Sequence, residues 1–137
     1  DLHSFPTRRS SDLDLGYDLY AATDKDIQIS PHSTVKIGTG LAMELPVGWF
    51  GAIFARSGIA TKRGLRPANC VGVCDADYRN EYIVAIHNDS NETMTVQSGE
   101  RIAQLILLPY QDIDFKEVNE LNNTDRGMGG FGSTGEK

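Results

Sequence analysis

From Asp14 onward the chain is written in short alternations of apolar and polar residues. "DIQIS" puts Ile27 and Ile29 on one face of an extended segment, "TVKIG" pairs Val35 with Ile37, and "LAMEL" aligns Leu41, Met43 and Leu45. The series continues in "WFGAIF", "YIVAI", "TMTV", "RIAQLILL" and "IDF". A period of two marks strands with one buried face, because successive side chains point to opposite sides of an extended chain. Between these runs, "SPHS", "PVG", "RSG", "NDSNE" and "QSGE" concentrate the residues that favour turns. The pattern predicts an all-β domain of many short strands, a barrel or sandwich closed so that strand edges are not left open. An α+β arrangement is the weaker rival, since only "FKEVNELNN" offers a helical turn or two.

Composition narrows the function classes. A chain of 137 residues suits one hydrophobic core. Its net charge of −6 provides no basic field for a nucleic-acid backbone. An anionic ligand must therefore be held by local arginines, amides or a metal. No apolar run reaches membrane-spanning length and no secretory signal is visible, so neither a membrane nor a nucleic-acid partner is expected and the location expected is cytoplasmic. Cys70 and Cys74 lack the neighbours of a zinc site and are expected on one strand face as small buried hydrophobes. His3, His32 and His87 are scattered and expected at the surface. Residues 1–13, "DLHSFPTRRSSDL", show neither alternation nor helical period and are expected to be a disordered or non-native leader. The domain then spans 14–125, and 126–137 form a Gly-rich arm.

Polar residues within apolar strands or at tight turns are informative, because packing alone does not return their cost. "LGYDLYAA" holds Asp18 between Tyr17 and Leu19. "ARSGIA" is expected to end a strand at Arg56 and Ser57 and to turn at Gly58. "NCVGVCDADYRNEY" is expected to bring Asn69, Asp75, Asp77 and Tyr78 into a hairpin. "GERIAQLILLP" sets Gln104 on the strand face of Ile102 and Ile106. Taken singly, Asp18 could cap a turn and Gln104 could be an exposed alternation. Asp75 and Asp77, one residue apart, share a face on an extended chain, and two such charges repel unless a cation or donor compensates. Downstream, "RGMGGFGSTG" combines five glycines with Arg126, Phe131, Ser133 and Thr134. Such a segment orders poorly alone, yet it carries a guanidinium fork for phosphate, an aromatic plate for a base, and hydroxyl donors.

The segments "LGYDLYAA", "ARSGIA", "GVCDADYRNEY", "GERIAQLIL" and "RGMGGFGSTG" resemble, in order and spacing, the five motifs of the trimeric dUTP pyrophosphatases, the dUTPases. The resemblance implies a distorted jelly-roll-like β-barrel with a flexible Gly-rich C-terminal arm. It implies hydrolysis of dUTP to dUMP and pyrophosphate, with Asp75 orienting and deprotonating the water that attacks the α-phosphorus. Asp18 would anchor a hydrated Mg²⁺ carried mainly by the substrate phosphates. Arg56, Ser57, Gly58 and Gln104 would serve the phosphate chain. Asn69 and the backbone up to Asp77 would read uracil, and Tyr78 would lie against the deoxyribose. Phe131 would stack on the base, Arg126 would clamp the γ-phosphate, and Gly132, Ser133 and Thr134 would complete the closing arm. It further implies a homotrimer whose sites are shared between subunits. The chain departs from the family pattern at Leu15, usually alanine, at Cys74, usually aliphatic, and at Asn80, commonly glycine. The alternatives are a dCTP deaminase of the same fold and a nucleotide-binding regulatory module without turnover.

Overall fold

The fold is organised by β10 (Arg101–Pro109), the longest strand of a computed structural model that describes residues 7–135. Its buried positions Ile102, Ala103 and Leu105 supply the sheet's inner face. One edge of β10 pairs with β2 (Tyr17–Tyr20) and the other with β5 (Trp49–Phe54), both antiparallel. β1 (Thr7–Arg8) extends the sheet beyond β2, and β7 (Gly72–Cys74) extends it beyond β5. The second sheet places β8 (Ile83–Asn88) between β4 (Thr34–Gly38) and β6 (Leu65–Pro67). β3 (Ile27–Ile29) and β9 (Met94–Val96) pair by themselves. One core joins the three sheets, with Leu19, Ile29, Ile37, Ile86, Val96 and Ile102 each at most 1% exposed. Burial of each such side chain contributes about 1.5–3 kcal/mol. The architecture is all-β and jelly-roll-like, as the alternation predicts.

Several local expectations are corrected. The leader is not wholly without structure, because Thr7 and Arg8 pair with Leu19 and Asp18, and the Thr7 hydroxyl donates to the Asp18 carbonyl at 2.7 Å. Residues 1–6, His3 among them, lie outside the described residues. "LAMEL" and "IDF" are not strands, and "FKEVNELNN" is not a helix. The α-helix among the described residues is instead α1 (Ser57–Arg63), where a turn was expected at Gly58. It is a two-turn helix with no buried residue, too short to show a period. Its end is legible in hindsight. Lys62 and Arg63 suit the negative end of the helix dipole, and Gly64 at φ 66° closes it by donating its N–H to the carbonyls of Ala60 and Ile59.

The stretch from Asn69 to Tyr78 is likewise not a two-stranded hairpin. β7 pairs with β5 while β6 pairs with β8, and the chain between them turns through Cys70 at φ 63°. Cys70 is exposed on that turn, and only Cys74 is partly buried. Asp75 and Asp77 lie in a turn closed by the Tyr78 N–H donating to the Asp75 carbonyl, not on an extended strand.

Asn88 holds the junction of the second sheet and the β3–β9 ribbon. It is fully buried, its amide donates to the carbonyls of Ile29 at 2.9 Å and Glu92 at 2.7 Å, and its oxygen accepts from the N–H and hydroxyl of Ser90. Removing a buried group that satisfies several partners exposes each of them to an unpaid desolvation. Asn88→Ala is expected to destabilise the protein by about 2–4 kcal/mol in urea unfolding. Asn88→Asp should also destabilise, increasingly above its carboxyl titration, because a carboxylate would face two carbonyl oxygens.

Candidate active site

Register along β10 assembles the first part of the site. Gln104 stands opposite Asp18 of β2 on one side and Phe54 of β5 on the other, and Arg56 follows Phe54 by two residues. Asp18 is 8% exposed, and its carboxylate accepts from Arg56 Nε at 3.0 Å and Arg101 Nη1 at 3.3 Å. A carboxylate this buried requires such partners. Gln104 donates its amide to the Ala55 carbonyl at 2.9 Å, which fixes the side chain across the β5–α1 junction. A Cβ on Gly16, just before β2, would overlap Gln104 Oε1, so a larger residue there would require the Gln104 amide to move. Asp18, Arg56, Ser57, Gly58 and Gln104 line one cavity of about 500 Å³, joined by Ser10, Asp14 and Gly16. Ser57 and Gly58 are exposed at its edge.

A smaller cavity of about 220 Å³ lies on the other side of β5, lined by Asn69, Gly72, Cys74, Asp75, Tyr78 and Tyr82 among others. A Cβ on Gly72 would come within 3.2 Å of Ile53 Cβ, so β7 packs closely on β5 at this cavity. Tyr78 stacks on Tyr82 with ring centroids 6.0 Å apart and 27° between planes, and its hydroxyl donates to the Glu81 carbonyl at 2.9 Å. Burial, reinforced by Asp75, pushes the Cys74 thiol above its ordinary pKa, and burial likewise raises the Tyr82 phenol. Asp75 also belongs to an open cleft of about 720 Å³ with Asp77, Phe50, Val73, Ala76 and Tyr110. It therefore sits where the smaller cavity and the cleft meet.

The arm touches neither cavity. Phe131 is fully exposed at φ 47°, Gly132 has φ 84°, and Arg126 donates Nε to the Gly129 carbonyl at 2.9 Å within the arm itself. Ser133 and Thr134 are exposed. One chain thus separates the predicted residues into a cavity around Asp18, Arg56 and Gln104, a second around Asn69, Asp75 and Tyr78, and an unattached arm. Among the described residues, no three His, Cys, Asp or Glu side chains converge on a cation. With its carboxylate already held by two guanidiniums, Asp18 fits a hydrated ion approached through water and does not fit a bare one. A Mg²⁺ with few protein ligands meets that requirement.

Two contributors escaped the motif reading. Arg101, in "GERIAQ", gains meaning only when the β2–β10 register sets it beside Asp18. Tyr82, in "NEYIVAI", reads as one more apolar position and proves to be the plate behind Tyr78. No helix among the described residues is long and apolar enough to cross a membrane.

The geometry agrees with the comparisons. The family model described as dUTPase matches residues 3–135. A protein of Desulfitobacterium hafniense named deoxyuridine 5'-triphosphate nucleotidohydrolase is 51% identical over 88% of this chain and 80% of its own length. An Anaplasma marginale protein of the same name is 40% identical over 98% and 88%. Among solved structures, a dUTPase variant of Staphylococcus bacteriophage 80alpha with dUpNHpp superposes with a TM-score of 0.82 at 28% identity, covering 94% of this chain and 90% of that one. The Streptococcus mutans dUTPase gives 0.73 at 31% identity, covering 80% and 88%. With a family match across nearly its whole length, the chain belongs to the dUTPase family, the dUTP diphosphatases.

Proposed function

We propose that the chain hydrolyses dUTP to dUMP and pyrophosphate in sites assembled between the subunits of a homotrimer, limiting uracil in DNA and supplying dUMP for dTMP synthesis in the cytoplasm. The observation that carries this reading is the separation just described. Groups suited to phosphate, a cavity beside a carboxylate, and an aromatic arm occur at separate places in one chain, and a second and third copy would unite them. Cyclic association does this with one set of surfaces.

Asp75 accepts the proton of the attacking water, from a position at the mouth of the base cavity that sets the water against the α-phosphorus. Arg56 and Ser57 offer positive charge and a hydroxyl donor to the phosphate chain, where charge builds in the transition state. Gln104 has one amide hydrogen engaged by Ala55 and one left to reach a phosphate oxygen. Bound through water at Asp18 and by phosphate oxygens, Mg²⁺ would neutralise part of the triphosphate charge. Asn69 and the Gly72–Asp77 backbone supply amide groups complementary to uracil. Cytosine would leave buried polar groups unpaired there, which discriminates more strongly than a clash with one methyl. Arg126, Phe131, Gly132, Ser133 and Thr134 fold over the nucleotide and exclude water, and the glycines permit both the close approach and the release.

Pyrophosphate release from dUTP with Mg²⁺ tests the activity; ammonia release from dCTP would indicate the deaminase, and binding without turnover the regulatory module. Asp75→Asn is expected to bind dUTP while losing about 10²–10⁴-fold in kcat. Deletion of residues 126–137 should give a folded trimer with severely weakened turnover. Refolding these two inactive variants together should restore partial activity, and no recovery would reject shared sites. Gly16→Ala should displace Gln104 and lower kcat/KM for dUTP by about tenfold with little change in urea stability, as expected when a phosphate donor is misplaced.

A further inference from the structure

Tyr82 occupies an unusual position for a phenol. It lies one residue before β8, is 2% exposed, and its ring carries the inner face of Tyr78. Its backbone is hydrogen-bonded at both polar groups. The N–H donates to the Leu41 carbonyl at 2.7 Å, and the carbonyl accepts from both the N–H of Thr39 at 3.2 Å and the Thr39 hydroxyl at 2.6 Å. The far end of the ring is buried as well, with its hydroxyl turned towards Cys74 and without a hydrogen-bond partner among the described residues. Tyr78, by contrast, is 39% exposed and free on its outer face. Two constraints define its plane: the hydroxyl bond to the Glu81 carbonyl and the rigid ring behind it.

We propose that Tyr82 is a positioning residue for sugar recognition: its immobile ring sets the depth and plane of Tyr78 and thereby the preference for a 2′-deoxy over a ribo substrate. The inference rests on the assignment of Tyr78 to the deoxyribose. A 2′-hydroxyl would press Tyr78 inward. A ring held by its backbone hydrogen bonds and buried in the core does not yield, so the strain falls on the ribo substrate. An aliphatic residue at this place would fill the core equally well but would leave Tyr78 free to tilt. Packing alone does not call for an aromatic ring at this position.

The measurement is the ratio of kcat/KM for dUTP to that for UTP in the full-length protein with Mg²⁺. Tyr82→Leu, and Tyr82→Met as a second flexible replacement, should lower the ratio about tenfold, mainly through a lower KM for UTP, as one misplaced contact would. Tyr82→Phe keeps the plate and should keep the ratio. Circular dichroism and thermal unfolding identify the variants that fold. An unchanged ratio in a folded Leu or Met variant overturns the proposal, and so does a collapsed ratio in the Phe variant, which preserves the fold most closely. Tyr78→Ala separates the two levels. If it leaves the ratio unchanged, the assignment of Tyr78 to the sugar fails; if it lowers the ratio while the Leu and Met variants do not, only the role of Tyr82 fails.

Discussion

A carboxylate taken out of water must be matched by positive charge, and in this protein that requirement falls on Asp18. Arg56 reaches it from the junction of β5 and α1, and Arg101 reaches it from the start of β10. Three segments distant in sequence are thereby bound at one point. The β10 register then decides what else arrives there, because Gln104 is the residue opposite both Asp18 and Phe54. A bulge between Arg101 and Ala103 lets Arg101 turn towards Asp18 while Ile102 and Ala103 remain in the core. The same ion pairs that secure the sheet thus shape the cavity lined by Asp18, Arg56 and Gln104. Losing either guanidinium would weaken the sheet and distort the cavity together.

Much of this was legible in the sequence, for identifiable reasons. Strands such as "TVKIG" and "RIAQLILL" have one buried face, so their alternation survives into the fold. Asp18, Arg56, Gln104, Asn69, Asp75 and Tyr78 stood out as polar groups in places where packing gains nothing from them. What was hidden lay either below the length of a period or outside the chain's local pattern. α1 is too short and too exposed to announce itself. The pairing of β7 with β5, where a hairpin was expected, is a long-range choice that no local turn signal encodes. Thr7 and Arg8 form a strand only because β2 presents an edge to them. Arg101 and Tyr82 acquire roles from their neighbours across space, which no alternation along the chain reveals.

The placement of rigidity is the less obvious feature. The two cavities are built on strands and on closely packed glycines: Gly16 against the Gln104 side chain, and Gly72 against Ile53. The arm is the reverse, with its side chains in solvent and hydrogen bonds confined to its own turns. Discrimination needs surfaces that do not yield, since a site that adapts to a near-cognate molecule cannot reject it. Enclosure needs a segment that can leave, since a water-excluding cover would otherwise trap the product. A single sequence meets both demands by keeping apolar alternation in the strands as far as Pro109 and by giving the arm glycines in its place. In the proposed reaction, the more rigid the cavities are, the more of the motion that turnover requires must reside in the glycine-rich arm.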